Sequence, residues 1–257
     1  MADISTDYAS GLVAAWEFNG DATDATTNFD LTAVGVPTYT SDGSGIQGNE
    51  KAILSGSTQY FKITGATYNG TALDLDGTTD FSLAMWYSLD AGAANNQLQG
   101  VPRIFSVHGV SNRMCLIAHE YNSGSERFRV SMAPTTTSYT TKYFSMATSP
   151  SAGVLQHFVM RYDKSAGSIQ CFQNGTSLGT QTGYPTSIND ASNGDYEVGA
   201  QTTNGITMDG HVAQFLHYNT YISDSYVSGL YNSGDGVLYS GGGGGPTVYN
   251  ALAMSNF

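Results

Sequence analysis

Apolar and polar residues alternate along this chain in short runs, and almost none keeps the spacing of a helix. Leu12, Ala14, Trp16 and Phe18 alternate with Val13, Ala15 and Glu17, the period of two that lines one face of a strand. Val212, Phe215 and Tyr218 mark a second such run that passes into Ile222-Ser223-Asp224. Similar runs rich in Val, Ile, Tyr, Phe and Thr recur between clusters of Gly, Asn, Asp and Ser, which is the pattern of an all-β sandwich or barrel. Lys164-Ser165-Ala166-Gly167 and Asn174-Gly175 read as turns, the second being a dipeptide favoured in two-residue hairpin loops. Only Tyr226–Tyr231 reads as helical. Ser223 stands where an N-cap hydroxyl accepts from a free first-turn N–H, and Asn232-Ser233-Gly234 ends the turn. A sandwich of 257 residues is commonly one domain. Its 17 tyrosines and 11 phenylalanines are enough to fill a core between sheets about 10 Å apart.

Four segments in order resemble the laminin-G-like (concanavalin A-like) jelly-roll family. Gly11–Ala33 (GLVAAWEFNGDATDATTNFDLTA) is similar to its first strand and loop, and Phe81–Asp90 (FSLAMWYSLD) to its central strand. Leu155–Thr182 (LQHFVMRYDKSAGSIQCFQNGTSLGTQT) is similar to its paired hairpins, and Gly205–Gly234 to its closing strand and helix. The resemblance implies an antiparallel two-sheet jelly-roll β-sandwich with a short C-terminal helical turn. Residues 1–240 are expected to form it, with residues 241–257 as a separate glycine-led tail. It also implies that the first and last strands, residues 12–18 and 211–218, lie in one sheet. Members of this family more often bind or display than catalyse.

The net charge is −12, and all nine basic residues lie between Lys51 and Lys164. Nucleic-acid binding needs cations set against phosphates, so that class is excluded, and anionic membrane surfaces are disfavoured for the same reason. No segment approaches the ~20 apolar residues that span a bilayer. The opening Met1-Ala2-Asp3-Ile4 has neither a basic start nor an apolar run, so no secretory leader is expected. Cys115 and Cys171 fall in predicted strands, Met114–Ala118 and Ile169–Gln173, and read as buried thiols, with a cross-strand disulfide as the alternative.

Candidate chemistry is sparse. Glycosidases of this fold set two or three acids at alternate positions of one strand, in an E-x-D-x-x-E signature that the sequence lacks. Asp74-Leu75-Asp76 lies in a loop, and Asp74, Asp76 and Glu120 are not expected to converge. Gln59-Tyr60-Phe61-Lys62 with Tyr68-Asn69 loosely resembles a motif of alginate-type lyases, but falls early and without its companion motifs. The histidines, His108, His119, His157, His211 and His217, show no metal spacing, and no G-x-S-x-G is present. Asp21, Asp24, Asn28 and Asp30 cluster in one loop, and hard oxygens are what calcium takes. The family resemblance adds Asp209 to a metal set of Asp24, Asn28, Asp30 and Asp209, although Ala213 replaces an acid common in relatives. Calcium is therefore the one candidate cofactor, with Asx-type turns as the alternative reading of the loop. Glycan contact is expected from loop aromatics, among them Tyr68, Tyr121, Tyr139, Tyr143 and Tyr184.

Together these features describe a non-catalytic surface module that attaches to glycans or cell surfaces. A fold of mainly outward-facing use, without leader or disulfide framework, is expected in a phage or virus particle, as capsid decoration or tail appendage among other virion proteins. A bacterial extracellular carbohydrate-binding module and a polysaccharide-degrading enzyme are the alternatives. In residues 240–257, SGGGGGPTVYNALAMSNF, the glycines and Pro246 are expected to act as a flexible connector. Val248, Tyr249, Leu252, Met254 and Phe257 are then expected to clasp a neighbouring subunit. Deleting residues 241–257 should leave the melting transition unchanged while abolishing oligomerisation or particle attachment. Unfolding of the truncated chain with association unaffected would mean that the tail belongs to its own core.

Overall fold

The computed structural model describes residues 2–40, 43–56, 58–75, 80–90, 101–109, 113–135, 138–189 and 194–239. Asp76 and the expected clasp residues Val248, Tyr249, Leu252, Met254 and Phe257 lie outside the described residues. In chain order the first strands are β1 Leu12–Trp16, β2 Thr32–Val34, β3 Thr38–Tyr39, β4 Ala52–Ser55, β5 Tyr60–Ile63 and β6 Phe81–Leu89. Next come β7 Arg103–His108, β8 Arg113–Asn122, β9 Ser125–Thr135, β10 Ser138–Ser145, β11 Gln156–Asp163, β12 Ser168–Gln173 and β13 Thr176–Thr182. The last are β14 Asp195–Val198, β15 Ala200–Gln201, β16 Ile206–Thr207 and β17 Asp209–Tyr218.

One sheet has the order β13-β12-β11-β6-β17-β4-β3, with β1 also on β17, and the other the order β10-β9-β8-β7-β14-β5-β2. Every pairing within these two sheets is antiparallel. The expected contact of first and last strands is present, with Trp16 opposite Phe215 and Leu12 opposite Tyr218. One edge of β17 is shared along its length, because β4 takes Asp209–Val212 and β1 takes the remainder. The turns at Lys164–Gly167 and Asn174-Gly175 connect β11 to β12 and β12 to β13.

Between the sheets the core is largely aromatic. Trp16 stacks on Phe215 at 5.6 Å. From the opposite sheet Phe105 reaches Phe215 at 5.4 Å and Tyr196 at 4.7 Å. Phe18 packs on Phe61 at 4.7 Å. Tyr196 places its hydroxyl 3.0 Å from Nδ1 of the buried His217, and burial lowers the His217 pKa to about 3. This imidazole is therefore neutral and serves as a partner for a core hydroxyl.

The outer faces of the two sheets differ. Helix α3, Asp224–Tyr231, is capped by Ser223, whose Oγ accepts from the Tyr226 N–H at 3.2 Å. Val227 and Leu230 of α3 bury against Ala15, Ala84, Val159, Phe172 and Leu216, on the far side of the eight-stranded sheet from the aromatic core. Ile4 joins the same cluster, and its N–H donates to the Leu238 carbonyl at 3.0 Å. Two further short helices, α1 Ile4–Asp7 and α2 Gly65–Tyr68, fall where the sequence shows no helical period. Each is a single turn, too short to display one. Covered on both sides, β6 is buried at every position. Strand β9 of the other sheet alternates, with Arg127 and Arg129 outward and half-buried. The seven-stranded sheet therefore keeps an outward-looking face.

The Trp16–Phe215–Phe105–Tyr196 cluster holds the sheets together, so its loss should be costly. Phe215→Ala should lower the unfolding free energy by about 3–5 kcal/mol, measured by denaturant unfolding. A loss below about 1 kcal/mol would show that the cluster is not the inter-sheet contact it is described as here.

Candidate functional site

Core burial decides what faces outward. Tyr196 and Val198 are buried inward from β14, and the period of two turns Asp195 and Glu197 to the opposite face. The same rule turns Ser106, Leu116, Ser131 and Thr141 outward in one cross-strand row. Arg103, Ala118, Arg129 and Tyr143 form the next row. After Val198 the chain folds back as the β15–β16 hairpin, paired through Ala200–Thr207 and Gln201–Ile206. Gly199 makes that bend at φ 82°, where an added Cβ would meet Leu54 Cδ1 at 2.4 Å.

This hairpin walls a cavity of about 240 Å³ lined by Arg103, His108, Arg129, Ser131, Tyr139 and Thr141, with Gln201 and Asn204 from the hairpin side. Arg103 Nε donates to Gln201 Oε1 at 2.9 Å and its Nη1 to the Val101 carbonyl at 2.5 Å. Thr203 Oγ1 lies 2.5 Å from His108 Nδ1, and the His108 ring lies 6.3 Å from that of Tyr139. Burial and then the charge of Arg129 lower the Arg103 pKa to about 10, so it remains a cation at neutral pH. Beyond the cavity, Arg127 binds Glu120 at 2.7 Å and lies over the Tyr143 ring.

One carboxylate pair escapes the sequence reading. Asp195 and Glu197 sit at alternate positions of β14, about 6.5 Å apart along the strand, as glycosidase acids do. Each is otherwise engaged. Asp195 binds Lys62 at 2.8 Å. Glu197 is 0% exposed and accepts from Ser106 Oγ at 3.1 Å, the Thr202 N–H at 3.0 Å and Thr202 Oγ1. Burial raises its pKa, but the hairpin covers it and no substrate reaches it. Glu120 lies two strands and four residues from Glu197 in register, about 16 Å between backbones and beyond the ~5–9.5 Å that glycoside hydrolysis uses. Asp74 accepts from the Gly70 N–H in a separate loop. At the rim of the eight-stranded sheet, Ser88 Oγ and Asp90 Oδ1 both approach His211 Nδ1, at 3.1 and 3.0 Å. A relay needs opposite ring nitrogens, so this is not a nucleophile triad.

The expected metal loop serves the backbone. Asp24 Oδ1 accepts from the N–H groups of Ala15 and Thr26 at 2.8 and 2.9 Å. Its Oδ2 accepts from Thr26 Oγ1 and the N–H groups of Asn28 and Phe29 at 2.7, 3.1 and 2.9 Å. A carboxylate has about four lone-pair sites, so five donors saturate it. Asp30 accepts from the Asp24 N–H at 2.9 Å. Asp209 is elsewhere, opposite Ser55 at the other end of β17 from Phe215. Gly210 allows the close approach there, since an added Cβ would lie 2.0 Å from the Ser88 carbonyl. Ala213, at the position of the missing acid, packs with Trp86 and Ile46. Among the described residues no three His, Cys, Asp or Glu side chains converge as a metal set, and this loop does not fit a calcium ion.

Of the five aromatics expected on loops, Tyr139 lines the cavity and Tyr143 is 42% exposed on β10. Tyr121 packs partly buried against the core. Tyr68 and Tyr184 are core residues, tied by their hydroxyls to the carbonyls of Gly194 and Val130 at 2.9 and 3.2 Å. His157 is buried between Trp86 and Tyr231, and burial lowers its pKa to about 3. Cys115 and Cys171 are buried and unbridged, and lie in different sheets.

A model of the concanavalin A-like lectin/glucanases superfamily (Laminin_G_3) matches residues 55–228. The chain belongs to this superfamily. Among solved structures it is similar to domain 4 of AbnA, a GH43 extracellular arabinanase from Geobacillus stearothermophilus, in complex with arabinotriose. The TM-score is 0.61 at 16% identity, covering 85% of this chain and 97% of that one. It is also similar to the binding domain of Paraclostridial Mosquitocidal Protein 1, with TM-score 0.64 at 13% identity, over 87% of this chain and 52% of that one. A botulinum neurotoxin type C structure, whose cell entry depends on two ganglioside molecules, matches with TM-score 0.62 at 13% identity, over 87% and 51%. The chain thus spans about half the length of each toxin structure, and at these identities the likeness carries the superfamily's fold alone. No curated protein sequence matches this chain.

Because four backbone N–H groups depend on Asp24, Asp24→Ala should cost at least about 3 kcal/mol of stability, equally in calcium and in chelator. A wild-type melting temperature that rises with calcium, with the rise lost in the variant, would show instead that these oxygens serve a cation.

Proposed function

We propose that this chain is a non-catalytic glycan-binding module that uses the outer face of its seven-stranded sheet. The observation that carries this reading is the cavity beside the β15–β16 hairpin, lined by Tyr139, His108, Ser131, Thr141 and two arginines. Rings, hydroxyls and a few fixed charges are the groups by which a concave site orients a polar ligand. The acids that hydrolysis would need are committed to Lys62, Ser106, Thr202 and Arg127. A ganglioside-dependent toxin and a domain holding arabinotriose share the fold, which makes a sugar ligand the natural class to test.

The setting we propose is the surface of a phage or virus particle, as capsid decoration or tail appendage. Its support is the acidic composition, the two unbridged thiols, which suit assembly in a reducing cytoplasm, and the apolar residues that follow the glycine run in the sequence. An exported bacterial carbohydrate-binding module is the alternative setting. An antibody to this chain that labels particles at regular sites supports the first, and its recovery only from cell surfaces or medium supports the second.

The full chain should bind members of a broad neutral and acidic glycan array without shortening them, and Tyr139→Ala should weaken binding roughly tenfold, the scale of one aromatic contact. Hydrolysis lost in Glu197→Gln, or binding to no glycan at all, would overturn the reading.

A further inference from the structure

The cations of the outer face are arranged for a ligand more specific than a neutral sugar. Among the described residues the Arg129 guanidinium donates no hydrogen bond, and its Nε is buried without a partner. Glu120 pairs with it loosely, Oε1 lying 3.7 Å from Nη1, while its Oε2 accepts from Arg127 Nε at 2.7 Å. Arg103, only 7% exposed, spends Nε and Nη1 on Gln201 and Val101 and faces the same cavity. Arg129 lines that cavity too, in the same cross-strand row as Arg103. Two cations lining one cavity repel each other, and an arriving anion relieves that repulsion. In a chain of net charge −12 such a site is a local exception, so whole-molecule attraction does not explain it.

We propose that Arg103 and Arg129 form a carboxylate-binding subsite that makes the module selective for acidic sugars, uronic or sialic acid residues. The inference rests on the glycan-binding reading above and narrows its ligand class. A planar guanidinium presents paired N–H donors that match a carboxylate, and such charge-assisted bonds are about twice as strong as neutral ones. The cavity of about 240 Å³ lies just under the ~300 Å³ at which small-molecule sites begin, room for a single ring. Ser131 Oγ and Thr141 Oγ1, 2.9 Å apart, stand on its floor for sugar hydroxyls. Tyr139 and His108 supply the rings beside them. Strands of nucleic acid, whose phosphates would meet the acidic remainder of the surface, are disfavoured.

The test is calorimetric titration of the full chain with oligogalacturonate, its carboxyl-reduced neutral counterpart, sialyllactose and lactose. At least one acidic member should bind at least tenfold more tightly than its neutral partner, and the preference should shrink as salt is raised. Which acidic member binds separates uronic from sialic recognition. Arg129→Gln should reduce acidic binding about tenfold or more, with the melting transition unchanged, while Arg129→Lys, which keeps the charge and loses the fork, should fall between. Equal binding of acidic and neutral partners by the wild-type chain, or acidic affinity untouched by Arg129→Gln, would overturn the subsite and leave the glycan-binding reading standing. Binding to none of the four overturns the subsite as well, and the glycan array then decides the broader reading separately.

Discussion

The contact of Trp16 and Phe215 with Phe105 and Tyr196 is the constraint on which the rest of this structure depends. It joins the eight-stranded sheet, through β1 and β17, to the seven-stranded sheet, through β7 and β14. Large rings buried at a sheet–sheet interface supply much of the area that drives the sandwich to close. Because side chains alternate, fixing Tyr196 inward also fixes Asp195 and Glu197 outward. The register that serves the core therefore writes the composition of the outer face. A one-residue slip of β14 would turn Asp195 and Glu197 into the apolar core and take Tyr196 out of it, so this register is strongly specified.

The two outer faces then diverge because the chain's flanking segments settle on only one of them. Ile4, α3 and Val237 cover the eight-stranded sheet, and Arg161 ties that cover down through the Ile222 carbonyl and Asp224, at 2.7 and 2.6 Å. Among the described residues the other sheet is walled by the short hairpin after Gly199. Polar side chains that would be costly in a core are tolerated there, and several are only partly satisfied by the protein itself. Arg129 is the clearest case, a guanidinium with a buried unpartnered N–H beside a second cation.

Much of the architecture was legible in the sequence, because it rests on local patterns. The Ser223 cap and the Asn174-Gly175 turn each follow from a few adjacent residues and are found as expected. The alternation from Leu12 to Phe18 holds only in part: the strand ends at Trp16, a register shift falls between Leu12 and Ala14, and Phe18 enters the core from a left-handed turn. The pairing of first and last strands came from the family resemblance. The site was harder to read because it is assembled across strands. Arg103, Arg129, Tyr139 and Gln201 are distant in sequence and meet only through the register of β7 to β10 and the fold of one hairpin. The available signal was the spacing Asp195-x-Glu197 in a strand and the odd-numbered arginines of β9, Arg127 and Arg129. Tyr68 and Tyr184 misled for the converse reason: loop-like neighbours say nothing about where a ring points. The Asp24 loop was ambiguous because acids that hold a turn and acids that hold a cation have the same composition.

Chemical-shift mapping of the isotope-labelled chain with a bound glycan tests the account most directly, since it asks where the ligand sits. The account predicts that shifted amides cluster at Arg103, His108, Ser131, Thr141, Gln201 and Asn204, on the outer face of the seven-stranded sheet. Shifts confined to α3, to the Asp24 loop or to the rim around Asp90 and His211 would contradict it.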